Sequence, residues 1–146
     1  MVRYGFLTFI FLFLLEVIFA QTIRINISGI RSEKGIIVIS LFESQKQFKS
    51  DQPVLIKNIS KDSLKDGILI AQFDNLAPAV YGIVVLDDEN ENGEMDYRLK
   101  RPTEGFGFSN YYHKGLFRPK FEDFSFKLEE MDVVVDVVMR YIKEAE

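Results

Sequence analysis

Residues 22–30, TIRINISGI, place Ile23, Ile25 and Ile27 at every second position, with Arg24, Asn26 and Ser28 between them. A period of two puts the isoleucines on one face of a strand and the polar residues on the other, and β-branched side chains suit that pleated surface. The alternation returns at the far end in DVVVDVVMRYI, where Val133, Val135, Val137, Met139 and Tyr141 share a face and Asp136 and Arg140 punctuate the other. Valine at nearly every second position disfavours a helix, where it loses χ1 freedom against the preceding turn. Beyond residue 20 no stretch sustains a 3.6-residue period, so the chain must build its core from strands.

Between these ends lie further strand signals. GIIVISLF (35–42) is apolar on both faces except at Ser40 and reads as a strand covered on both sides. The short RSEKG turn before it predicts a hairpin with the first strand. VLIKNIS (54–60) reads as an edge strand after a polar connection. ILIAQF (68–73), VYGIVVLD (80–87) and EDFSFKL (122–128) complete the set. About seven short strands separated by turn residues predict an all-β fold, a single antiparallel β-sandwich of immunoglobulin-like or prealbumin-like type with a long acidic and aromatic loop.

The first twenty residues, MVRYGFLTFIFLFLLEVIFA, run from Arg3 through an apolar stretch to the small residue Ala20. That order is expected of a secretory signal peptide cleaved before Gln21, leaving residues 21–146 as one sandwich domain. A permanent anchor needs about 20 apolar residues, and Glu16 interrupts this run, so no transmembrane segment is expected after cleavage. The chain is free of cysteine. A disulfide-free exported domain points to the bacterial periplasm, the cell surface or secretion. The net charge is −4, with basic residues gathered only in short groups such as Lys100-Arg101. Neither nucleic acid nor a polybasic membrane contact is expected.

The segment DDENENGEMD (87–96) holds six carboxylates, two asparagines and a glycine. Asp88, Asn90 and Asn92 stand at alternate positions, then Gly93, Glu94 and Asp96, which is the opening of a calcium loop of the form D-x-[DN]-x-[DN]-G. Alternate side chains turn inward around one cation while glycine allows the bend that brings the Glu94 carbonyl onto it. Six like charges with no basic residue among them repel, which argues for a bound counter-ion. Structural calcium on Asp88, Asn90, Asn92, Glu94 and Asp96 is one expectation, with Asp87, Glu104 or water completing the shell. Position twelve is Leu99 rather than glutamate and no helix flanks the segment, so a helical EF-hand is not expected. The competing reading is a solvated turn, since Asn, Asp and Gly form such turns without metal.

The next segment, RPTEGFGFSNYYHKGLFRPKFEDFSF, is rich in glycine and aromatic residues. Glu104 with Phe106, Phe108, Tyr111 and Tyr112 could form a ligand loop for a sugar or peptide, or the rings could pack the loop onto the sandwich rim. His113 is the sole histidine and is expected at the loop surface. Ser109 lies four residues before it, but no aspartate can be assigned to complete a triad. A zinc site of three histidines is excluded by count.

The strand around Ala79-Val80-Tyr81-Gly82, the D-E-N-x-N-G-x-x-D loop at Asp88–Asp96 and the P-x-E-G-F-G-F-S-N run at Pro102–Asn110 resemble an uncharacterised family of exported bacterial proteins, the domain of unknown function 2141 family. The opening segment IRINISGIRSEKGIIVISLF is similar to that family's beginning. The resemblance implies a secreted β-sandwich and no established activity. Together these readings give an exported, non-enzymatic module, stabilised by calcium, that meets a cell-envelope or extracellular partner. The alternatives are a carboxylate-dependent hydrolase of the cell envelope, since glycosidases need paired carboxylates, and a glycan-binding module using the loop aromatics.

Overall fold

The computed structural model describes residues 21–115 and 117–142; the proposed signal peptide lies outside the described residues. In chain order the elements are β1 (Gln21–Ser28), β2 (Ile36–Phe42), the short helix α1 (Gln45–Lys49), β3 (Leu55–Ser60), β4 (Leu69–Leu76) and β5 (Ala79–Asp88). There follow the two-residue strands β6 (Tyr97–Arg98) and β7 (Arg101–Pro102), then β8 (Gly105–Phe108), α2 (Phe121–Phe124), β9 (Ser125–Leu128) and β10 (Val133–Val138). As the alternation predicts, the architecture is all-β. One sheet has the order β10-β1-β4 and the facing sheet β3-β2-β5-β8, with β9 also paired to β5. Among the described residues, no helix is long and apolar enough to cross a membrane.

Two features of the pairing depart from the expected opening hairpin and from purely antiparallel strands. β1 and β2 do not form a hairpin: β1 pairs with β10 and β4, whereas β2 pairs with β3 and β5. Residues 29–35 therefore cross from one sheet to the other. This lets Ile23, Ile25 and Ile27 face Ile37, Ile39 and Leu41 across one core, all with no exposed surface. The β1–β10 pair is parallel, in register from Ile23 with Val133 to Ser28 with Val138. A parallel pair needs a long crossover rather than a tight turn, and here nearly the whole chain intervenes. Val135 and Val137 are fully buried and Met139 nearly so, while Val133 and Tyr141 pack partly buried against the same cluster.

β2 and β5 are covered on their outer face as well, which explains why β2 is apolar on both faces except at Ser40. A second cluster of Phe42, Phe48, Phe106, Phe108, Phe121 and Phe124 lies there, with α1 and α2 supplying Phe48, Phe121 and Phe124. The rings meet mostly edge to face, Phe48 and Phe124 at 4.9 Å between centroids. β8 reads GFGF because its two sides do different work. Phe106 and Phe108 enter the aromatic cluster, while a Cβ at Gly107 would stand 2.5 Å from Val137 Cγ1 and one at Gly105 2.2 Å from the Tyr141 ring. Only glycine permits this approach, through which backbone bonds join the sheets at one side: Phe106 N–H to the Arg140 carbonyl at 3.0 Å and Arg140 N–H to the Phe106 carbonyl at 2.7 Å.

Candidate functional site

The site begins where β5 ends in two aspartates. Neighbouring strand residues face opposite ways, and Asp87 is in phase with the buried Tyr81, Ile83 and Val85. It is itself fully buried. The ammonium of Lys61, also buried, donates to Asp87 Oδ1 and to the carbonyls of Lys34 and, at 3.2 Å, Ser32. Tyr141 Oη donates to Asp87 Oδ2 at 2.5 Å and accepts from Arg31 N–H at 3.2 Å. Burial first, and then the bond to Asp87, push the Tyr141 phenol above its ordinary pKa. Thus Asp87 is turned away from the bend and cannot complete a cation shell there. Sequence reading missed Lys61 and Tyr141 as its partners. The available signal was phase: a carboxylate in step with three core residues requires a buried cation or donor.

Asp88 faces the other way and organises the bend. Its Oδ1 accepts from Asn92 N–H at 3.1 Å and its Oδ2 from Gly93 N–H at 2.8 Å. Asn90 Oδ1 also accepts from Asn92 N–H, at 3.0 Å, and Asn92 Oδ1 accepts from Glu94 N–H at 2.9 Å. The side-chain amides of Asn90 and Asn92 donate to the two oxygens of Asp96, the latter at 3.1 Å. Gly93 sits at φ +82°, the left-handed turn for which glycine is suited. Asp88, Asn90, Asn92 and Asp96 are thereby brought together, while Glu94 takes part through its N–H and leaves its side chain exposed.

Glu104, 4% exposed, closes the two ends of the bend: Oε1 accepts from Glu89 N–H at 3.0 Å and Oε2 from Asp96 N–H at 3.3 Å. Burial is the first cause raising its pKa, with repulsion from Asp88 and Asp96 adding to it against the two backbone donors. Glu89 has a cation of its own. Arg31 Nε donates to Oε1 at 2.9 Å and Nη2 to Oε2 at 2.5 Å, and Ser32 Oγ adds a bond at 2.8 Å. Led by the Arg31 bonds, these hold the Glu89 carboxyl at about 2. The expectation of six carboxylates without a counter-charge is therefore corrected: Lys61 neutralises Asp87 and Arg31 neutralises Glu89, both from segments distant in sequence. Among the described residues, no group of three or more His, Cys, Asp or Glu side chains is placed to hold a metal ion.

The aromatic segment does not form a four-ring platform. Phe106 and Phe108 are buried in the second cluster, Tyr111 is half-buried against it, and Tyr112 is exposed. Phe106 and Phe108, 8% and 6% exposed, are spent on packing, and of the four rings Tyr112 is the exposed one. Ser109 is fully buried; its Oγ donates to the Phe124 carbonyl at 2.7 Å and accepts from Ile83 N–H at 2.9 Å. The hydroxyl thus bridges backbone groups and is not aimed at His113. His113 itself is half-buried rather than at the surface, its ring 5.8 Å from Phe108 and 5.9 Å from Tyr111, and its Nδ1 is buried without a hydrogen-bond partner.

A family model described as an uncharacterized protein conserved in bacteria (DUF2141) matches residues 25–136. That span takes in the crossover, both halves of the Asp87–Glu104 arrangement and most of β10. No curated protein and no solved structure matches the chain.

Proposed function

The chain belongs to the DUF2141 family, and we propose that this member is an exported, non-enzymatic sandwich module that meets a partner in the cell envelope or outside the cell. In this proposal the Asp88–Asp96 bend is a structural clip closed by calcium. Export is supported by the order of charge, apolar run and small residue in the first twenty residues. A non-enzymatic role is supported by the occupation of the polar groups that could do chemistry: Ser109 bridges backbone groups, Asp87 is bound by Lys61 and Tyr141, and Glu104 holds two backbone N–H groups.

One observation carries the clip. Asp88 and Asp96 receive neutral donors, backbone N–H groups and asparagine amides, which satisfy their geometry but not their charge, and both still repel Glu104. Two carboxylates, two amide oxygens, a carbonyl and water make a donor set suited to calcium, which takes six to eight oxygens in flexible geometry. Binding must displace the Asn90 and Asn92 amides from Asp96, so the affinity is modest, ~10⁻⁴–10⁻³ M as in extracellular modules.

Thermal melts of the chain in millimolar calcium against chelator test this. With a Kd of ~0.1 mM and calcium at ~1 mM, binding stabilises by about 1.4 kcal/mol, a rise in Tm of roughly 3–6 °C for a domain of this size. Asp88→Asn/Asp96→Asn keeps oxygen acceptors and removes both charges, and should melt independently of calcium. A wild-type chain whose Tm ignores calcium would end the proposal.

A further inference from the structure

The hairpin β6–β7 breaks local rules in two ways at once. Its two-residue connection is Leu99-Lys100, with φ of +49° and +64°. A turn with both central residues left-handed favours Asn-Gly, and a branched apolar side chain is a poor choice there. The tip also exposes apolar surface: Leu99 is 91% exposed and Tyr97 65%. Lys100 and Arg101 beside them are exposed as well. In a chain of net charge −4, one short projection therefore combines concentrated positive charge, an apolar point and an amphipathic ring. None of these residues packs in either hydrophobic cluster.

We propose that this hairpin tip docks on an anionic lipid surface, with Leu99 entering the headgroup boundary, Tyr97 lying at the interface and Lys100 and Arg101 over the lipid phosphates. The exposed apolar side chain and the exposed cations both meet complementary chemistry on such a surface. An apolar residue at the turn gains burial that solvent does not provide. Tyrosine suits a boundary with one apolar and one wet side. A short basic group read along the sequence carries little weight; folded into a tip with leucine at its apex, it has both the charge and the apolar contact that reversible membrane attachment requires. The inference stands apart from the calcium clip, since it uses none of the clip's side chains.

The chain contains no tryptophan, so Leu99→Trp places a single reporter at the apex, and its emission reads the tip alone even if another segment binds lipid. Vesicles of phosphatidylcholine with phosphatidylglycerol in equal parts should shift that emission to the blue and expose it to quenching by brominated acyl chains. Vesicles of phosphatidylcholine alone should do neither. Adding Lys100→Glu and Arg101→Glu to the Leu99→Trp chain should weaken the emission-detected partitioning at least 25-fold, from about fivefold per lost cation near an anionic surface. Raised salt should weaken it too, by screening. Circular dichroism of each variant confirms that the sheets are intact. An apex emission unchanged by anionic vesicles overturns the proposal, as does an equal shift on neutral vesicles. A blue shift that grows with protein concentration in the absence of lipid would assign the tip to a second copy of the chain and overturn it as well.

Discussion

Replacing Lys61 by methionine keeps the aliphatic stem and removes the ammonium. Its side chain is 2% exposed and that of Asp87 is fully buried. Asp87 would keep the Tyr141 hydroxyl on Oδ2 but lose the charge opposite Oδ1, and the carbonyls of Ser32 and Lys34 would lose their donor. Those carbonyls are neutral acceptors whereas Asp87 carries a full charge, so the uncompensated carboxylate dominates. Breaking a buried pair by removing one partner costs about 3–5 kcal/mol, a large share of the roughly 5–15 kcal/mol that holds a domain together. Urea unfolding of the wild type and Lys61→Met should show a loss of about 4 kcal/mol through a lower midpoint with an unchanged slope. Lys61→Met/Asp87→Asn removes both charges while leaving Tyr141 an acceptor, and should recover more than half of the loss. If Lys61→Met costs less than about 1 kcal/mol, as an exposed pair would, or if the double variant is no better than the single one, the reasoning about a dry, paired site is wrong.

The Arg31–Glu89 pair gives a pH-dependent counterpart. Glu89 has a folded pKa of about 2 against an ordinary 4.5, so its stabilisation is complete above about 4.5 and is lost as pH falls through about 2. With the Arg31 side chain 44% exposed, screening reduces the gain to roughly 1 kcal/mol. Glu89→Gln should therefore be less stable by that amount at neutral pH, with the difference closing between about pH 4.5 and 2; a difference constant across that range would refute the assignment. Ser109→Ala strips a partner from Ile83 N–H and from the Phe124 carbonyl at a fully buried position and should cost about 1–3 kcal/mol in a thermal or urea melt. A neutral result would mean that the hydroxyl does not tie β5 to the end of α2.

The strands were legible because period-two alternation is local and their residues hold both partners of the argument. Ile23, Ile25 and Ile27 announce one buried face whatever they pair with. Pairing is a different kind of information. Nothing in RSEKG distinguishes a hairpin from a crossing between sheets, because a similar stretch of polar residues can do either, and the choice is made by which apolar faces must meet. β1 finds β10 in parallel across almost the entire chain, and no local signal reports a contact of that sequence separation. The second aromatic cluster was hidden for the same reason: Phe48 and Phe121 lie in stretches read as connections and become core only when two short helices fold over the outer face of β2 and β5.

The acidic segment shows where counting charges along a chain goes astray. Its composition implied a missing counter-ion, yet Asp87 and Glu89 meet Lys61 and Arg31 from other segments, and those two cations are unmarked among the neighbouring lysines, serines and glutamates of their turns. Part of the answer was nevertheless present in VYGIVVLDD. Alternation from Tyr81 through Ile83 and Val85 carries Asp87 into the core side and Asp88 to the opposite face. Two adjacent carboxylates of one motif therefore could not share a cation without breaking the strand. The residues that do converge, Asp88, Asn90, Asn92 and Asp96, begin only after that parity has divided the pair, and Glu104 rather than Asp87 reaches back to hold the bend. For a strand that runs directly into an acidic loop, phase against the preceding core residues is thus a sharper guide to ligand sets than spacing within the loop.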